Sequence, residues 1–246
     1  MTALVTGAAQ GIGAAVARVL AEDGFLVAGV DRDARRLATA LGEVPGAVAY
    51  PFDLADTANI PGLVQRVEAE RGPVSVLVNV AGVLHTGAAT ELDVAGWQAM
   101  FAVNTTAVYA LSIAVARGMR ERGDGVITTV SSNAGGVPRA GMAGYAASKA
   151  AATMFTKSLG LELAEYGIRC NIVAPGSTDT PMLRAMPGHD PARLIAGDGA
   201  TFKPGIPLGK LAAARDVAEA VRFLVSPGAG HITMQELYVD GGASLR

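Results

Sequence analysis

Short apolar runs alternate along the chain with longer stretches in which hydrophobic residues recur at the spacing of a helix. Strands are predicted at residues 3–5, 25–30, 47–52, 76–78, 125–130, 168–173 and 236–239. Helices are predicted at residues 14–22, 34–41, 60–70, 97–119, 144–166 and 213–224. Continuous apolar strands that alternate with helices are typical of a parallel sheet covered on both faces. We therefore predict a single doubly wound α/β (Rossmann) domain over residues 1–246, with a mostly parallel sheet of about seven strands.

The segment from residue 181 to residue 207 departs from this alternation. It contains five of the twelve prolines and shows little periodicity. Long stretches without regular structure inside a compact domain are commonly functional lids or disordered segments. Because this one lies between two strongly patterned elements, we expect it to be a substrate lid.

Composition and charge narrow the possible classes of function. The chain has 246 residues, of which 20 are Lys or Arg and 22 are Asp or Glu, and its formal net charge is −2. We expect no nucleic-acid partner, because phosphate binding needs clustered Lys and Arg. The lone cysteine, Cys170, excludes an internal disulfide, and the scattered histidines predict no metal site.

Neither a membrane span nor a targeting signal is expected. No charged residue lies between Asp93 and Arg117, but Gln98, Asn104 and Ser112 interrupt the apolar residues there. A bilayer requires roughly 20 predominantly apolar residues. The first residues lack the basic segment of a secretory signal. We therefore expect no membrane association and a cytoplasmic location.

A glycine-rich turn joins the first predicted strand to the first predicted helix, and it reads Thr6-Gly7-Ala8-Ala9-Gln10-Gly11-Ile12-Gly13. Glycines there let the backbone approach a pyrophosphate, while the helix N-terminus supplies amide donors and a positive dipole. Such a turn is weak evidence by itself. Its context strengthens it, because Asp31 ends the second strand, where a carboxylate can bond an adenosine ribose.

Asp31 also bears on which cofactor is used. A carboxylate at this point would repel the 2′-phosphate of NADP, and Gln10 brings no compensating charge. Arg32 is the counter-argument, since a basic neighbour could reach a phosphate. We predict NAD as the cofactor.

Tyr145 and Lys149 lie four residues apart in a predicted helix and therefore share one of its faces. A lone pair at this spacing is often structural. Two further polar residues make the pattern more specific. Ser132 follows a predicted strand, and Asn104 lies inside the uncharged helix. The four residues together predict a catalytic site.

These motifs resemble those of the short-chain dehydrogenases/reductases over nearly the whole chain. The resemblance rests on the glycine turn, Asn79-Val80-Ala81-Gly82, Ser132, Tyr145-x-x-x-Lys149 and Pro175-Gly176-Ser177-Thr178-Asp179-Thr180. Val80 departs from the alanine that is commoner at its position. The resemblance implies a Rossmann fold and nicotinamide-dependent chemistry at a CH–OH group. It implies cofactor contacts from Gly7, Gln10, Gly11, Ile12, Gly13, Asp31, Asp53, Asn79, Ala81, Gly82, Tyr145, Lys149, Pro175, Gly176, Thr178 and Thr180.

The resemblance also implies a role for each catalytic residue. Tyr145 is the expected acid/base, and because an unperturbed phenol titrates near ~10 it needs help at neutral pH. Lys149 is expected to stabilise the phenolate and to bond the nicotinamide ribose. Ser132 is expected to hold the substrate oxygen, and Asn104 to support a water that links Lys149 to solvent.

Residues 137–142, 175–180 and 202–210 resemble one branch of the family, the 2,3-dihydro-2,3-dihydroxybenzoate dehydrogenases. That resemblance implies NAD-dependent oxidation of a ring hydroxyl in a 2,3-dihydro aryl carboxylic acid, a small-molecule substrate whose product becomes aromatic. The substrate carboxylate needs a cation, and a guanidinium can grip it bidentately. We predict substrate contacts from Arg139 and Met142, with Arg184 and Lys203 as alternative anchors.

Three other functions stay open at this point. The first is a dehydrogenase of trans-2,3-dihydro-3-hydroxyanthranilate, which barely differs in sequence signal. The second is a 3-oxoacyl-carrier-protein reductase, which Asp31 and the absence of a basic run disfavour. The third is a non-catalytic nucleotide sensor, which the four catalytic residues disfavour. The family resemblance also implies a homotetramer.

Overall fold

A seven-stranded parallel sheet forms the centre of the computed structural model, which describes residues 1–245. Its strands lie in the spatial order β7-β6-β5-β4-β1-β2-β3, and every neighbouring pair is parallel. The predicted doubly wound α/β fold is confirmed. The strands are β1 (Thr2–Thr6), β2 (Leu26–Asp31), β3 (Val48–Pro51), β4 (Val74–Asn79), β5 (Gly125–Val130), β6 (Ile168–Pro175) and β7 (Glu236–Val239).

Helices cover both faces of the sheet, which is why central strands such as β1 and β5 are buried at every residue. On one face α1 packs against α9, and on the other α3 packs against α5 beside α6. The helices are α1 (Gly11–Glu22), α2 (Ala34–Leu41), α3 (Ile60–Arg71), α4 (Val94–Phe101), α5 (Ala107–Arg122), α6 (Ala143–Leu163), α7 (Pro181–Arg184), α8 (Pro191–Ala196) and α9 (Ala214–Val225).

The helix predicted at residues 97–119 is interrupted in its middle. One π-helical turn, Ala102–Thr106, joins α4 to α5, and the N–H of Ala107 donates to the carbonyl of Ala102. Such a turn inserts an extra residue into a helix and is frequent at functional sites. Asn104 lies inside it. The prediction of a long helix is confirmed, because Val94–Arg122 is one continuous helical stretch, although hydrophobic periodicity does not register the single residue inserted in it.

By length and composition the stretch Val94–Arg122 is apolar enough to cross a membrane. In the fold its large apolar residues Met100, Leu111, Val115 and Met119 are buried, and α5 packs on β4 and β5. Packing in the protein interior therefore accounts for part of the hydrophobicity of this stretch, whereas Val94, Trp97 and Tyr109 remain exposed.

The segment 181–207 contains more regular structure than its sequence suggests. It holds α7, α8 and a short antiparallel pairing of Gly197–Asp198 with Lys203–Pro204. A second short pairing, parallel this time, joins Thr178–Asp179 to Ala212–Ala213 and so ties together the two flanks of the segment. Elements this short carry too few residues for periodicity to reveal them.

The order of the strands fixes where a ligand can bind. β1 lies between β2 and β4, so the chain changes direction across the sheet at β1. In open α/β sheets, ligands bind at such a switch point, in the crevice outside the carboxyl ends of the strands. The segments that follow β1, β2, β4 and β5 therefore form the candidate site.

Candidate active site

The turn after β1 is folded tightly around its glycines. Gly7 has a φ of +67°, and a Cβ atom at Gly13 would lie 2.1 Å from the carbonyl oxygen of Gly7. No side chain caps the first turn of α1, so its amide groups stay available to a ligand. This arrangement fits the pyrophosphate of a dinucleotide.

Asp31 lies at the carboxyl end of β2, on the wall of the groove that begins at the glycine turn. Its carboxylate accepts hydrogen bonds from the backbone N–H groups of Asp33 (3.0 Å) and Ala9 (3.3 Å). The bond from Ala9 attaches Asp31 to the glycine turn. Arg32 lines the same groove and is exposed. A carboxylate and a cation are thus neighbours at this end of the groove.

Two clefts meet at Tyr145. The cofactor groove follows the carboxyl ends of the strands from Asp31 to Lys149. The substrate pocket lies between the loop before α6 and residues 181–207, and its empty volume is about 1440 Å³. The clefts are continuous, because they share the lining residues Ile12, Ser131, Tyr145, Thr180 and Met182.

Tyr145 lies in the first turn of α6, with 8% of its surface exposed. Its hydroxyl group forms a hydrogen bond with the side chain of Ser132. Ser132 Oγ also accepts a hydrogen bond from the N–H of Ala134 at 3.1 Å. Burial raises the pKa of Tyr145 to about 12, while the bond with Ser132 acts in the opposite direction. The phenol is therefore neutral at ordinary pH, and the two hydroxyl groups together can hold a substrate oxygen.

Lys149 lies one helical turn beyond Tyr145 and is also buried. Burial lowers its pKa to about 8. Its Nζ donates to the carbonyl oxygen of Val130 at 2.9 Å and lies 5.9 Å from the centre of the Tyr145 ring. Burial is the larger influence on the phenol here, and the role of Lys149 in stabilising the phenolate stays a prediction.

Asn104 is buried behind these residues and lines neither cleft. Its Oδ1 accepts from the N–H of Val83 at 2.8 Å, and its Nδ2 donates to the carbonyl of Val83 and to Ser148 Oγ, each at 2.9 Å. The side chain thus fixes the loop after β4 against α6. A role for Asn104 in supporting a water stays a prediction.

The substrate pocket is largely apolar, with cations on its wall. Arg139, from the loop before α6, and Lys203, from the short antiparallel pairing, line the pocket and are both partly buried. Burial lowers the pKa of Arg139, although the charge of Asp240 opposes this. Among the described residues, neither cation forms an ion pair. The apolar lining includes Leu84, Met142, Met182, Leu183, Met186, Leu194 and Ile206.

Arg184, the other alternative anchor, lies outside both clefts. Its guanidinium makes two 2.7 Å hydrogen bonds with the carboxylate of Asp179. Because its charge is already matched by that partner, Arg184 is a poor candidate for binding a substrate carboxylate.

The structure brings most predicted cofactor residues to the cofactor groove: Gly7, Gln10, Gly11, Ile12, Gly13, Asp31, Asp53, Ala81, Gly82, Tyr145, Lys149 and Thr180. Pro175, Gly176 and Thr178 line the substrate pocket, as do Ser132, Arg139 and Met142. Asn79 lines neither cleft. Its Nδ2 instead donates to Ser112 Oγ on α5 at 3.2 Å, which attaches that helix to β4.

Sequence reasoning missed most of the apolar wall of the substrate pocket. Met182, Leu183, Met186 and Leu194 all come from residues 181–207 and had not been singled out. The one available signal was the apolar run that follows Thr180 directly, since that threonine belongs to a recognised motif.

A sequence model of the short chain dehydrogenase family matches residues 1–190, and the chain belongs to this family. It is therefore a dehydrogenase that acts on a CH–OH group with a nicotinamide cofactor. The chain is 52% identical over 249 residues to the 2,3-dihydro-2,3-dihydroxybenzoate dehydrogenase of Bacillus subtilis, across 99% of this chain and 95% of that protein. It is 43% identical to the Escherichia coli enzyme of the same name, across 98% of this chain and 96% of that protein.

Solved structures show the same fold. A 3-ketoacyl-(acyl-carrier-protein) reductase from Brucella melitensis, complexed with NADH, matches with a TM-score of 0.90 at 32% identity, over 99% of this chain and 98% of that chain. The predicted resemblance to the family is thus confirmed by sequence and by structure.

Proposed function

We propose that this protein oxidises a ring hydroxyl of a 2,3-dihydro aryl carboxylic acid with NAD, with 2,3-dihydro-2,3-dihydroxybenzoate as the substrate and 2,3-dihydroxybenzoate as the product. The observation that carries the proposal is Arg139, a partly buried cation without an ion-pair partner among the described residues, on the pocket that Tyr145 and Ser132 face. An anionic ring fits such a pocket. The names of the Bacillus subtilis and Escherichia coli relatives support the same substrate.

The reaction follows from the arrangement of the side chains. When bound, the nicotinamide supplies a hydride acceptor for the carbinol hydrogen of the ring. In the direction of oxidation Tyr145 must react as the phenolate, so its own proton first leaves to solvent through the cofactor groove that it lines. Ser132 holds the hydroxyl oxygen, and Tyr145 Oη then takes the proton of that hydroxyl group as the carbonyl forms. Lys149 places a buried positive charge near the phenol, within 5.9 Å of the ring centre. The ketone then tautomerises to a phenol, and the gain of aromaticity draws the oxidation forward.

NAD is the favoured cofactor because of Asp31. Its carboxylate lines the groove, held by the N–H groups of Ala9 and Asp33. A ribose hydroxyl can donate to this carboxylate, whereas a 2′-phosphate would be repelled by it. Arg32 is exposed and free to turn toward solvent.

Four further expectations belong to the same proposal. Residues 181–207 act as a lid, since they supply much of the apolar pocket wall. The protein works as a homotetramer in the cytoplasm, as the family resemblance implies. We further expect contacts from Met142 with the substrate ring, because it lines the pocket close to Tyr145 in the chain.

A product assay tests the proposal. The purified protein is incubated with NAD or NADP and with either 2,3-dihydro-2,3-dihydroxybenzoate or trans-2,3-dihydro-3-hydroxyanthranilate, and the aromatic products are separated by chromatography. We expect 2,3-dihydroxybenzoate to form faster, with NAD. Faster formation of 3-hydroxyanthranilate would instead assign the amino substrate. A 3-oxoacyl thioester is assayed separately with NADH or NADPH, and activity with that thioester but with neither dihydro acid would refute the aryl-acid class.

A further inference from the structure

We propose that Lys203 is a second carboxylate-binding residue, and that a substrate carboxylate bridging Arg139 and Lys203 holds residues 181–207 closed over the substrate pocket. The inference rests on the proposed function, because it assumes an anionic substrate. It adds a second residue that fixes specificity for acids in the same pocket, and it gives the lid a contact with the substrate.

Lys203 is held in a defined position. It belongs to the antiparallel pairing in which Asp198 faces Lys203 and Gly197 faces Pro204. The backbone is closely packed here: a Cβ atom at Gly205 would lie 2.5 Å from the carbonyl oxygen of Ile195. The N–H of Ile206 also donates to that carbonyl at 2.8 Å. The backbone position of Lys203 is thus set by a folded hairpin.

The charges near Lys203 leave it without a direct partner. Asp198 is the nearby carboxylate, but its Oδ2 bonds Arg193 Nη2 at 2.6 Å and its Oδ1 accepts from the N–H of Ala200 at 3.0 Å. Burial and the positive charge of Arg139 both lower the pKa of Lys203. The two cations therefore lie near enough to repel each other while they line one pocket.

Arg139, which lines the same pocket, also lacks an ion-pair partner among the described residues. Its guanidinium makes one long hydrogen bond, 3.5 Å to the carbonyl of Ala243. The nearby Asp240 already accepts from Asn133 Nδ2 at 3.3 Å and from the N–H of Gly242 at 3.0 Å. A carboxylate placed between Arg139 and Lys203 would remove their mutual repulsion, and its two oxygens could accept from both.

Such a bridge connects two separate parts of the fold. Arg139 precedes the catalytic helix α6, whereas Lys203 belongs to the segment that covers the pocket. A neutral ring of the same size would fill the apolar pocket but would leave the two cations unconnected. Binding of an acid, and not of a neutral ring, should therefore fix the lid.

The test compares 2,3-dihydroxybenzoate with catechol, which has the same ring and hydroxyl groups without the carboxylate. Binding of each to the purified full-length protein is measured by calorimetry for wild type, Lys203→Met, Lys203→Arg and Lys210→Met. Loss of a hydrogen bond to a charged group typically weakens binding by roughly ten- to a hundredfold, and partial exposure places Lys203 at the low end, about tenfold. We expect this loss for the acid in Lys203→Met, with catechol changed less than about twofold.

Lys203→Arg should retain acid binding because it keeps the charge, and Lys210→Met should match wild type because Lys210 is exposed outside both clefts. In limited digestion with thermolysin, 2,3-dihydroxybenzoate should slow cleavage within residues 181–207 of wild type but not of Lys203→Met. Equal weakening of acid and catechol would overturn the inference, since Lys203 would then support the hairpin alone. Unchanged acid binding or unchanged protection in Lys203→Met would overturn it as well.

The product assay and the binding experiment distinguish failure of the proposed function from failure of the role proposed for Lys203. If wild type does not oxidise the dihydro acid in the product assay, the proposed function is wrong whatever the binding data show. If wild type oxidises the dihydro acid and Lys203→Met still binds 2,3-dihydroxybenzoate normally, only the role of Lys203 is wrong.

Discussion

Replacing Lys149 with methionine should stabilise the fold while abolishing turnover. The lysine is 5% exposed, and burial lowers its pKa from the usual 10.5 to about 8. Its ammonium group is still protonated at neutral pH, so the folded protein carries a buried charge that costs about 3 kcal/mol. Methionine has a similar length and no charge. It leaves the carbonyl of Val130 without its 2.9 Å bond from the charged Nζ, a loss of about 1.5–3 kcal/mol.

The net gain is at most about 1.5 kcal/mol, which for a chain of this size raises the melting temperature by up to roughly 3–6 °C. The stability gain of the variant should fall, and never rise, as the pH increases. In the unfolded chain the lysine keeps its proton up to about pH 10.5, whereas in the folded protein it loses the proton near pH 8. The unfolded state binds more protons between these values, so wild-type stability rises with pH there. The advantage of the variant is complete below pH 8 and disappears toward pH 10.5.

Thermal unfolding of the cofactor-free proteins, followed by circular dichroism from about pH 6 to pH 10, measures this difference. The raised pKa values of Tyr50, Tyr145 and Cys170 affect wild type and variant alike and cancel in the comparison. Lys210→Met, which removes an exposed lysine, should show no gain at any pH. A variant less stable than wild type at pH 7, or a gain that does not change with pH, would refute the reasoning.

Three further substitutions probe the site. Tyr145→Phe should lower turnover by roughly a hundredfold or more while NADH binding, measured by fluorescence titration, stays near wild type; substantial residual turnover would remove Tyr145 from the acid/base role. Arg139→Ala should raise the KM of the acid about ten- to a hundredfold without changing the KM of NAD, and an unchanged KM for the acid would place the anchor elsewhere. Asp31→Asn should reduce the ratio of kcat/KM for NAD over NADP, because a carboxylate and a phosphate charge about 4 Å apart repel by roughly 1–4 kcal/mol near a protein surface; equal use of both cofactors by wild type would contradict this.

The sheet and the catalytic pair could be predicted because their signals are local. β5, α2 and β7 coincide with the predicted ranges, since each is a continuous apolar run or an amphipathic stretch bounded by polar residues and turns. Tyr145 and Lys149 share a helix face through their spacing alone. The position of the glycine turn could likewise be predicted, because it depends only on the strand before it and the helix after it.

Other features depend on contacts between distant parts of the chain and left no local signal. Asn79 belongs to a recognised motif, yet its side chain bonds Ser112 on α5 and not the groove. Asn104 lies in a π-helical turn because it must reach Val83 and Ser148 together. In both cases the sequence shows the asparagine itself. The orientation of its side chain, however, depends on hydrogen-bond partners that are distant along the chain.

The placement of α6 shows how the fold accommodates two buried ionisable groups. Its inward face is attached through hydroxyl groups: Thr105 Oγ1 donates to the carbonyl of Ser148 at 2.9 Å, and Ser131 Oγ contacts Thr153 Oγ1 at 2.7 Å. Each polar atom in these contacts has a partner, so burial costs little, and directional bonds fix the helix more narrowly than apolar packing alone would. The buried charge of Lys149 has no such compensation from a carboxylate. The hydrogen-bonded hydroxyl groups therefore supply the rigidity, and the surrounding apolar sheet supplies the stability, that let the destabilising buried charge of Lys149 stay in position.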